Sequence, residues 1–150
     1  MWNSAYNKLT KYCPVDQAFY WDGEGFPDGK TVLDPDGDAA HVNLGGNWRM
    51  PTDVEWTELL TNCTLTWTSL NGVNGYSVTA TNGNSIFLPA GGNYSGTSLE
   101  GVGPLGNYWS SSLYTKYSNL AWLIGFYSDE EVGVGVIDRY NGRSVRPVTE

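Results

Sequence analysis

The sequence predicts an α+β fold, with a small, twisted, mostly antiparallel sheet, one firm helix and long loops. Two segments near the C-terminus alternate strictly in side-chain character, which is typical of strands. One stretch after Pro51 combines a helix start signal with apolar residues at helical spacing. The chain also contains 19 glycines, seven tryptophans and ten tyrosines, a composition that favours short strands and turns. Its 150 residues suit a single domain spanning 1–150.

The two alternating segments run from Trp122 to Tyr127 and from Val132 to Ile137. One set of side chains is uniformly bulky and apolar, so we predict that it is buried. The other set mixes glycine, aromatic and aliphatic residues. Its glycines indicate either a close backbone approach or bulge, or a face not selected for folding. The set predicted to be buried is Trp122, Ile124, Phe126, Val132 and Val134. The set predicted to be at least partly exposed is Leu123, Gly125, Tyr127, Gly133, Gly135 and Ile137. Period two places Val136 inward.

The predicted helix begins at Thr52, which forms a capping-box pattern with Glu55. The acids Asp53 and Glu55 suit the positive end of the helix dipole, so we interpret them as structural. We expect Arg49 to tie the preceding loop to a carboxylate. The apolar face of the helix is Trp56, Leu59, Leu60 and Cys63, which should lie on the sheet.

The remaining elements follow from turn signals and alternation. Asn82-Gly83 is the strongest hairpin signal in the chain. The predicted segments are a short helix over 4–12, loops over 14–47, strands over 65–70, 76–81 and 85–88, a glycine-rich loop over 90–107, a polar loop over 114–120 and a closing segment over 143–148.

Few residues offer catalytic or metal chemistry. His41 is the only histidine, and no nucleophile-elbow pattern accompanies it, so we expect a structural role and no enzyme activity. The segment Asp34–Asp38 resembles the start of a calcium loop, but the closing glutamate is absent, which favours a solvated turn. Two alternatives are open for the cysteines. Cys13 and Cys63 form one disulfide, or Cys63 is a buried free thiol, which is expected at least as strongly. No metal or other cofactor is expected.

The formal net charge of −8 argues against a nucleic-acid partner, since phosphate binding needs clustered Lys and Arg. No run approaches the roughly 20 apolar residues of a membrane span. We find no signal peptide pattern before MWNSAYNK. The chain is therefore expected to be intracellular or a mature fragment of an exported protein.

Five segments of the chain form a specific combination: GGNWRMPT (45–52), NGVNGY (71–76), NSIFLPA (84–90), YWSSS (108–112) and SVRPV (144–148). Together they resemble a bacterial C-type-lectin-like family, the Fibrobacter major paralogous domain, some members of which are variable proteins of diversity-generating retroelements. The resemblance covers most of the chain from about Leu44 and implies a C-type-lectin-like fold. Two activities of related folds are not implied. No cysteine follows Cys63, as a formylglycine-generating enzyme would need, and the Glu-Pro-Asn, Gln-Pro-Asp and Trp-Asn-Asp patterns of calcium-dependent sugar binding are missing.

In such variable proteins, adenine-directed mutagenesis diversifies codons near the C-terminus and yields residue types such as Asn, Tyr, Ser, Gly, Asp, Leu, Ile and Val. The mixed face contains only these types, whereas Trp122, Glu130 and Glu131 do not belong to them and would be fixed. The resemblance thus implies a ligand-binding surface of variable residues. Its members are Leu123, Gly125, Tyr127, Gly133, Gly135, Val136, Ile137, Asp138 and Tyr140, extended by Tyr114, Tyr117, Ser118 and Leu120.

Two functions remain open at this stage. In the first, the chain is a diversified binding protein whose partner is an unknown protein or surface ligand, at a cell surface, outside the cell or borne by a phage. In the second, it is a non-diversified structural or adhesive module of an exported bacterial surface protein, with Leu123 and Tyr127 packed on a neighbouring domain. A reverse transcriptase gene and an adenine-rich template repeat in the flanking DNA would separate them.

Overall fold

The computed structural model describes residues 30–117, 120–128, 130–139 and 141–149. They form two helices and eight strands, with mostly antiparallel sheets, so the α+β class is confirmed. The predicted helix over 4–12 and Cys13 lie outside the described residues. The helices are α1 (Ala39–Leu44) and α2 (Asp53–Asn62). The strands are β1 (Cys63–Leu70), β2 (Val73–Ala80), β3 (Ser85–Pro89), β4 (Asn93–Ser95), β5 (Ser98–Glu100), β6 (Leu105–Leu113), β7 (Leu120–Tyr127) and β8 (Gly133–Asp138).

Helix α2 begins as its sequence predicts. The Thr52 side chain accepts from the Glu55 amide, and the Glu55 carboxylate accepts from the Thr52 amide, which completes the capping box. Arg49 binds the same carboxylate through two bonds of 2.7 Å, which confirms that it ties the preceding loop to an acid. Trp56 is buried, and Leu59, Leu60 and Cys63 pack beside it. Cys63 is a free thiol.

Three antiparallel sheets follow, with strand orders β1-β2-β3, β4-β5 and β6-β7-β8. Asn82 and Gly83 turn the chain between β2 and β3, as predicted, and Asn71 and Gly72 turn it between β1 and β2. The prediction of a glycine-rich loop over 90–107 was wrong, because this segment contains the short β4-β5 hairpin and the start of β6. Strands of three residues are too short for alternation to reveal. Helix α1 was also missed, because its six residues carry no apolar periodicity.

The β6-β7-β8 sheet is covered on both faces. On the α2 face, Ile124 and Phe126 join a first core cluster with Trp56 and Tyr108. Phe126 is the centre of an aromatic group, with ring centroids 5.1 Å from Tyr76, 6.0 Å from Trp67 and 6.4 Å from Tyr108. On the opposite, α1 face lies a second core cluster of Ala40, Met50, Trp109, Leu113, Ala121 and Leu123.

Segments from distant parts of the sequence meet beside the second core cluster. Arg49 and Val148 exchange backbone bonds of 3.0 and 2.9 Å. The Trp109 amide donates to the Ser144 carbonyl at 3.0 Å, and the Ser111 amide donates to the Pro51 carbonyl at 2.8 Å. The segments 45–52, 108–112 and 144–148 are therefore joined by main-chain hydrogen bonds. Among the described residues, no helix has the length and apolar character needed to cross a membrane.

Candidate binding surface

An aromatic group lies at the end of the β6-β7-β8 sheet where β6 turns into β7. The Tyr114 ring meets Trp122 edge-on at 5.5 Å and Tyr117 at 6.1 Å. The Lys116 ammonium lies 5.4 Å from the Tyr117 ring centroid, within the range of a cation–π contact. Val136 lies across the ladder from Trp122. We call Tyr114, Tyr117, Trp122 and Val136 the aromatic end.

The aromatic end is open to solvent at two of its members. Tyr117 is 53% exposed and Val136 is 37% exposed. The turn that carries the tyrosines is held by backbone bonds of 3.1 Å from the Tyr114 amide to the Leu120 carbonyl and from the Leu120 amide to the Tyr117 carbonyl. Trp122 was predicted to be buried in the core but is half-buried. The first core cluster, on the α2 face, does not extend to this end of β7. Sequence alternation could not show where along the strand the core stops.

Other predicted site residues lie at the far end of the sheet. Tyr127 is 52% exposed at the last position of β7, and Gly125 and Gly133 lie opposite each other on the same, α1 face. Seven steps along β7 separate Tyr127 from Leu120, which is about 23 Å at 3.3 Å per residue. The predicted surface is therefore divided between two ends and two faces of the sheet. Strand β8 runs between these ends.

The prediction that Leu123 lies on an exposed face of β7 was wrong. It is only 7% exposed, because it packs opposite Trp109 in the second core cluster. Ile137 is half-buried and packs against the same cluster. On β7, the α1 face is thus core near the aromatic end and open only toward Gly125 and Tyr127, whereas on β8 it is open at Gly133 and Gly135. On the α2 face, Ile124 and Phe126 are buried as predicted. Val132 and Val134 were predicted to be buried as well but are only half-buried, because they pack at the margin of the first core cluster.

Two glycines of β8 have room for side chains. No atom lies within 4 Å of the position that a Cβ would take at Gly133 or Gly135, and neither has a positive φ. Gly125 differs, because its Cβ would lie 2.7 Å from the Asn107 amide oxygen and 3.1 Å from Leu123. Neither a close approach nor strained backbone explains Gly133 and Gly135. Ser118 and Tyr140 lie outside the described residues.

Buried polar contacts support the surface from within. The Tyr108 hydroxyl donates to the Pro89 carbonyl at 2.6 Å, and burial raises the pKa of this phenol well above its usual range. The Tyr76 hydroxyl donates to the Glu130 carbonyl at 2.9 Å, which fixes the turn before β8. In the first turn of α2, the Arg49 guanidinium lowers the pKa of Glu55 from 4.5 to about 2, with help from the Thr52 amide and hydroxyl.

A separate cleft lies between the segment around Val32 and the loop after α1. Its lining includes Asp38, His41, Asn47, Trp48 and Arg49. The Asp38 carboxylate is already engaged by the amides of Ala40, His41 and Met50. The described residues contain no group of three or more His, Cys, Asp or Glu side chains placed to hold a metal ion.

Comparison with models of protein families, with curated proteins and with solved structures yields no match to this chain.

Proposed function

We propose that this chain is a ligand-binding protein that presents a diversified surface near its C-terminus to a protein or cell-surface target. The observation that carries the proposal is the open space at Gly133 and Gly135, on a strand whose backbone accepts ordinary residues. A position that is free to vary must admit large and small side chains without disturbing the core. These two positions meet that requirement, whereas Gly106 and Gly75 are closed by neighbouring atoms.

The aromatic end adds the chemistry of a recognition surface. Tyrosines supply large contact area at low entropic cost, as they do in antibody paratopes. An interface centred on β8 would touch the aromatic end at one side and Tyr127 at the other. The ends of β7 lie about 23 Å apart. A standard interface, which buries about 800 Å² per partner, is wide enough to cover that span. A broad protein surface therefore suits this site better than a small molecule, which prefers a concave pocket.

We further propose that the fold is C-type-lectin-like and that the chain is a variable protein of a diversity-generating retroelement. Three of the five segments that carry the resemblance (45–52, 108–112 and 144–148) are hydrogen-bonded to one another, which supports a common structural role for them. The alternative of a non-diversified adhesive module is weakened by Leu123. Its side chain packs within the chain and offers little area to a neighbouring domain.

A pair of display libraries tests the proposal. The first randomises Gly133, Gly135 and Val136, and the matched control randomises Gly106, Ile124 and Phe126. We expect most members of the first library to be displayed as folded protein and to yield binders against an arbitrary protein target. Most members of the control should fail to fold. Equal loss of folded protein in both libraries would remove the physical basis for diversification at β8.

Sequencing the flanking DNA addresses the retroelement directly. A reverse transcriptase gene and an adenine-rich repeat of the region that encodes β8 would support the proposal. A locus without either would favour the adhesive module.

A further inference from the structure

Among the described strands, β8 lies at the edge of its sheet, and the hydrogen bonds of β6 determine which backbone groups of β8 face outward. The Trp109 amide donates to the Ser144 carbonyl, and the Ser144 amide donates to the Asn107 carbonyl, both at 3.0 Å. Asn107 and Trp109 therefore direct their backbone groups away from β7. Because successive residues of a strand direct these groups to opposite sides, Tyr108 directs its own toward its partner Ile124.

The same alternation carries across β7 to β8. The backbone N–H and C=O groups of Ile124 point toward β6. Those of Leu123 and Gly125 therefore point toward β8, where these two residues pair with Gly135 and Gly133. The N–H and C=O groups of Val134 and Val136 must then point away from the sheet. Neither residue has a backbone partner outside the β7 ladder within the described part of the chain. Two donors and two acceptors are thus directed away from β7 over about 7 Å of strand.

Among the described residues, this edge has none of the usual protections against pairing. Natural edges are blunted by Pro, Lys, bulges or a covering element. Gly133–Asp138 contains neither Pro nor Lys, and it pairs with β7 without a register shift. Gly133 and Gly135 present no side chains on the α1 face, which leaves room for those of an added strand. The edge is thus built to accept another strand.

The charges around the edge indicate which strand it accepts. Glu130 and Glu131 are exposed just before β8, whereas Arg139, just after it, is buried. The chain as a whole carries a net charge of −8, so a second copy would add like charges to the interface. At the other end of β8, the Tyr117 ring lies 5.4 Å from the Lys116 ammonium, so the negative charge that would attract a basic segment lies at the Glu130–Glu131 end.

We propose that β8 binds an extended, basic segment of a partner protein by strand addition. The backbone of the segment would pair with Val134 and Val136, and its Lys or Arg side chains would lie beside Glu130 and Glu131. This inference rests on the proposed binding function and adds to it the mode of recognition and the chemistry of the partner.

The test uses the synthetic peptide RTVTVTR, titrated to millimolar concentration into isotope-labelled protein and followed by NMR. Two variants form a matched pair. Val136→Pro removes an outward amide that β7 does not use, and Val136→Thr keeps that amide while changing the exposed side chain. We expect the amides of Val134 and Val136 to shift. Affinity should fall at least about tenfold for Val136→Pro and change little for Val136→Thr, since only the former loses a hydrogen bond.

Two peptide controls keep the test independent of how Val136→Pro folds. The peptide ETVTVTE should bind at least about tenfold more weakly than RTVTVTR if charge selects the partner. The same loss is expected when both Val residues of RTVTVTR are N-methylated, because the methyl groups remove donors from the added strand. Equal binding of the acidic and basic peptides, or of the methylated peptide, would overturn the proposal. Concentration-dependent dimers that disappear in Val136→Pro would assign the edge to a second copy instead.

Failure here is distinguishable from failure of the binding function. Proline substituted at position 136 of a binder selected from the β8 library should lower its affinity for the target if strand addition is correct. A binder that keeps its affinity with proline at position 136 but loses it with Tyr117→Ala would reject strand addition and support the binding function.

Discussion

Gly106 lies opposite Phe126 in the β6-β7 ladder, and the Phe126 ring occupies the space that a side chain at Gly106 would need. Gly106→Ala should therefore cost about 1–3 kcal/mol, the usual effect of overfilling a packed core. Gly135→Ala is the matched control, because its Cβ would meet open space. It should stay within about ±0.5 kcal/mol. Urea unfolding of both variants measures the difference, and equal destabilisation would contradict the assignment of Gly135 to an open position.

Leu123 and Tyr127 occupy the same face of β7 but differ in burial, at 7% and 52% exposed. Leu123→Ala should cost about 2–5 kcal/mol, because it leaves a cavity in the second core cluster. Tyr127→Ala should fall within about ±0.5 kcal/mol. Chemical denaturation of the two variants provides the comparison. A Leu123 variant as stable as the Tyr127 variant would restore the original prediction that this whole face is free.

The Arg49–Glu55 pair makes stability depend on pH below neutrality. Because the pKa of Glu55 is about 2 in the folded chain against an ordinary 4.5, its contribution is complete above pH 4.5 and disappears as pH falls toward 2. The two side chains are 31% and 37% exposed, so the pair should contribute about 1 kcal/mol or less.

The variant Glu55→Gln provides the comparison for this pH dependence, since glutamine also serves in a capping box. We expect the variant to show a smaller loss of thermal midpoint between pH 4.5 and 2 than the parent protein. Parallel curves for the two proteins would show that other carboxylates carry the pH dependence.

The Asp34–Asp38 turn should not respond to calcium. Asp38 accepts from the amides of Ala40, His41 and Met50, and Asp34 pairs with Lys30, so their carboxylates already have protein partners. Millimolar calcium should leave the thermal midpoint unchanged. Asp38→Ala should cost about 2 kcal/mol through loss of the α1 cap, whereas the exposed Asp36→Ala should be nearly neutral. A calcium-dependent rise in midpoint that either variant abolishes would establish a metal site.

Sequence reasoning was most successful where one local interaction determines the structure. The capping box placed α2, Asn82-Gly83 placed the β2-β3 hairpin, and alternation placed β7 and β8. It failed for α1, because the six residues of that helix show no apolar period. Nor does a local pattern reveal that its cap, Asp38, also binds the Met50 amide 12 residues away.

The candidate surface was only partly predictable. Alternation identifies which residues share a face but not what covers that face. Leu123 is buried because Met50 and Ala40, from another part of the chain, pack on the α1 face. Trp122 is only half-buried because the first core cluster does not extend along β7 as far as Trp122. The outward orientation of Val134 and Val136 depends on the β6 bonds to Ser144, which sequence cannot supply.

Several contacts that hold the core together join residues far apart along the chain. The Trp56 indole donates to the Trp109 carbonyl across 53 positions, the Tyr76 hydroxyl reaches Glu130 across 54, and the Asp53 amide bonds Ser112 across 59. Such long loops must close before these contacts stabilise anything, which slows folding to the millisecond-to-second range typical of nonlocal β topologies. During folding, the β8 edge would therefore be open to nonproductive pairing for longer than the surfaces of a helical protein of this size. The refolding yield should fall steeply as the protein concentration rises.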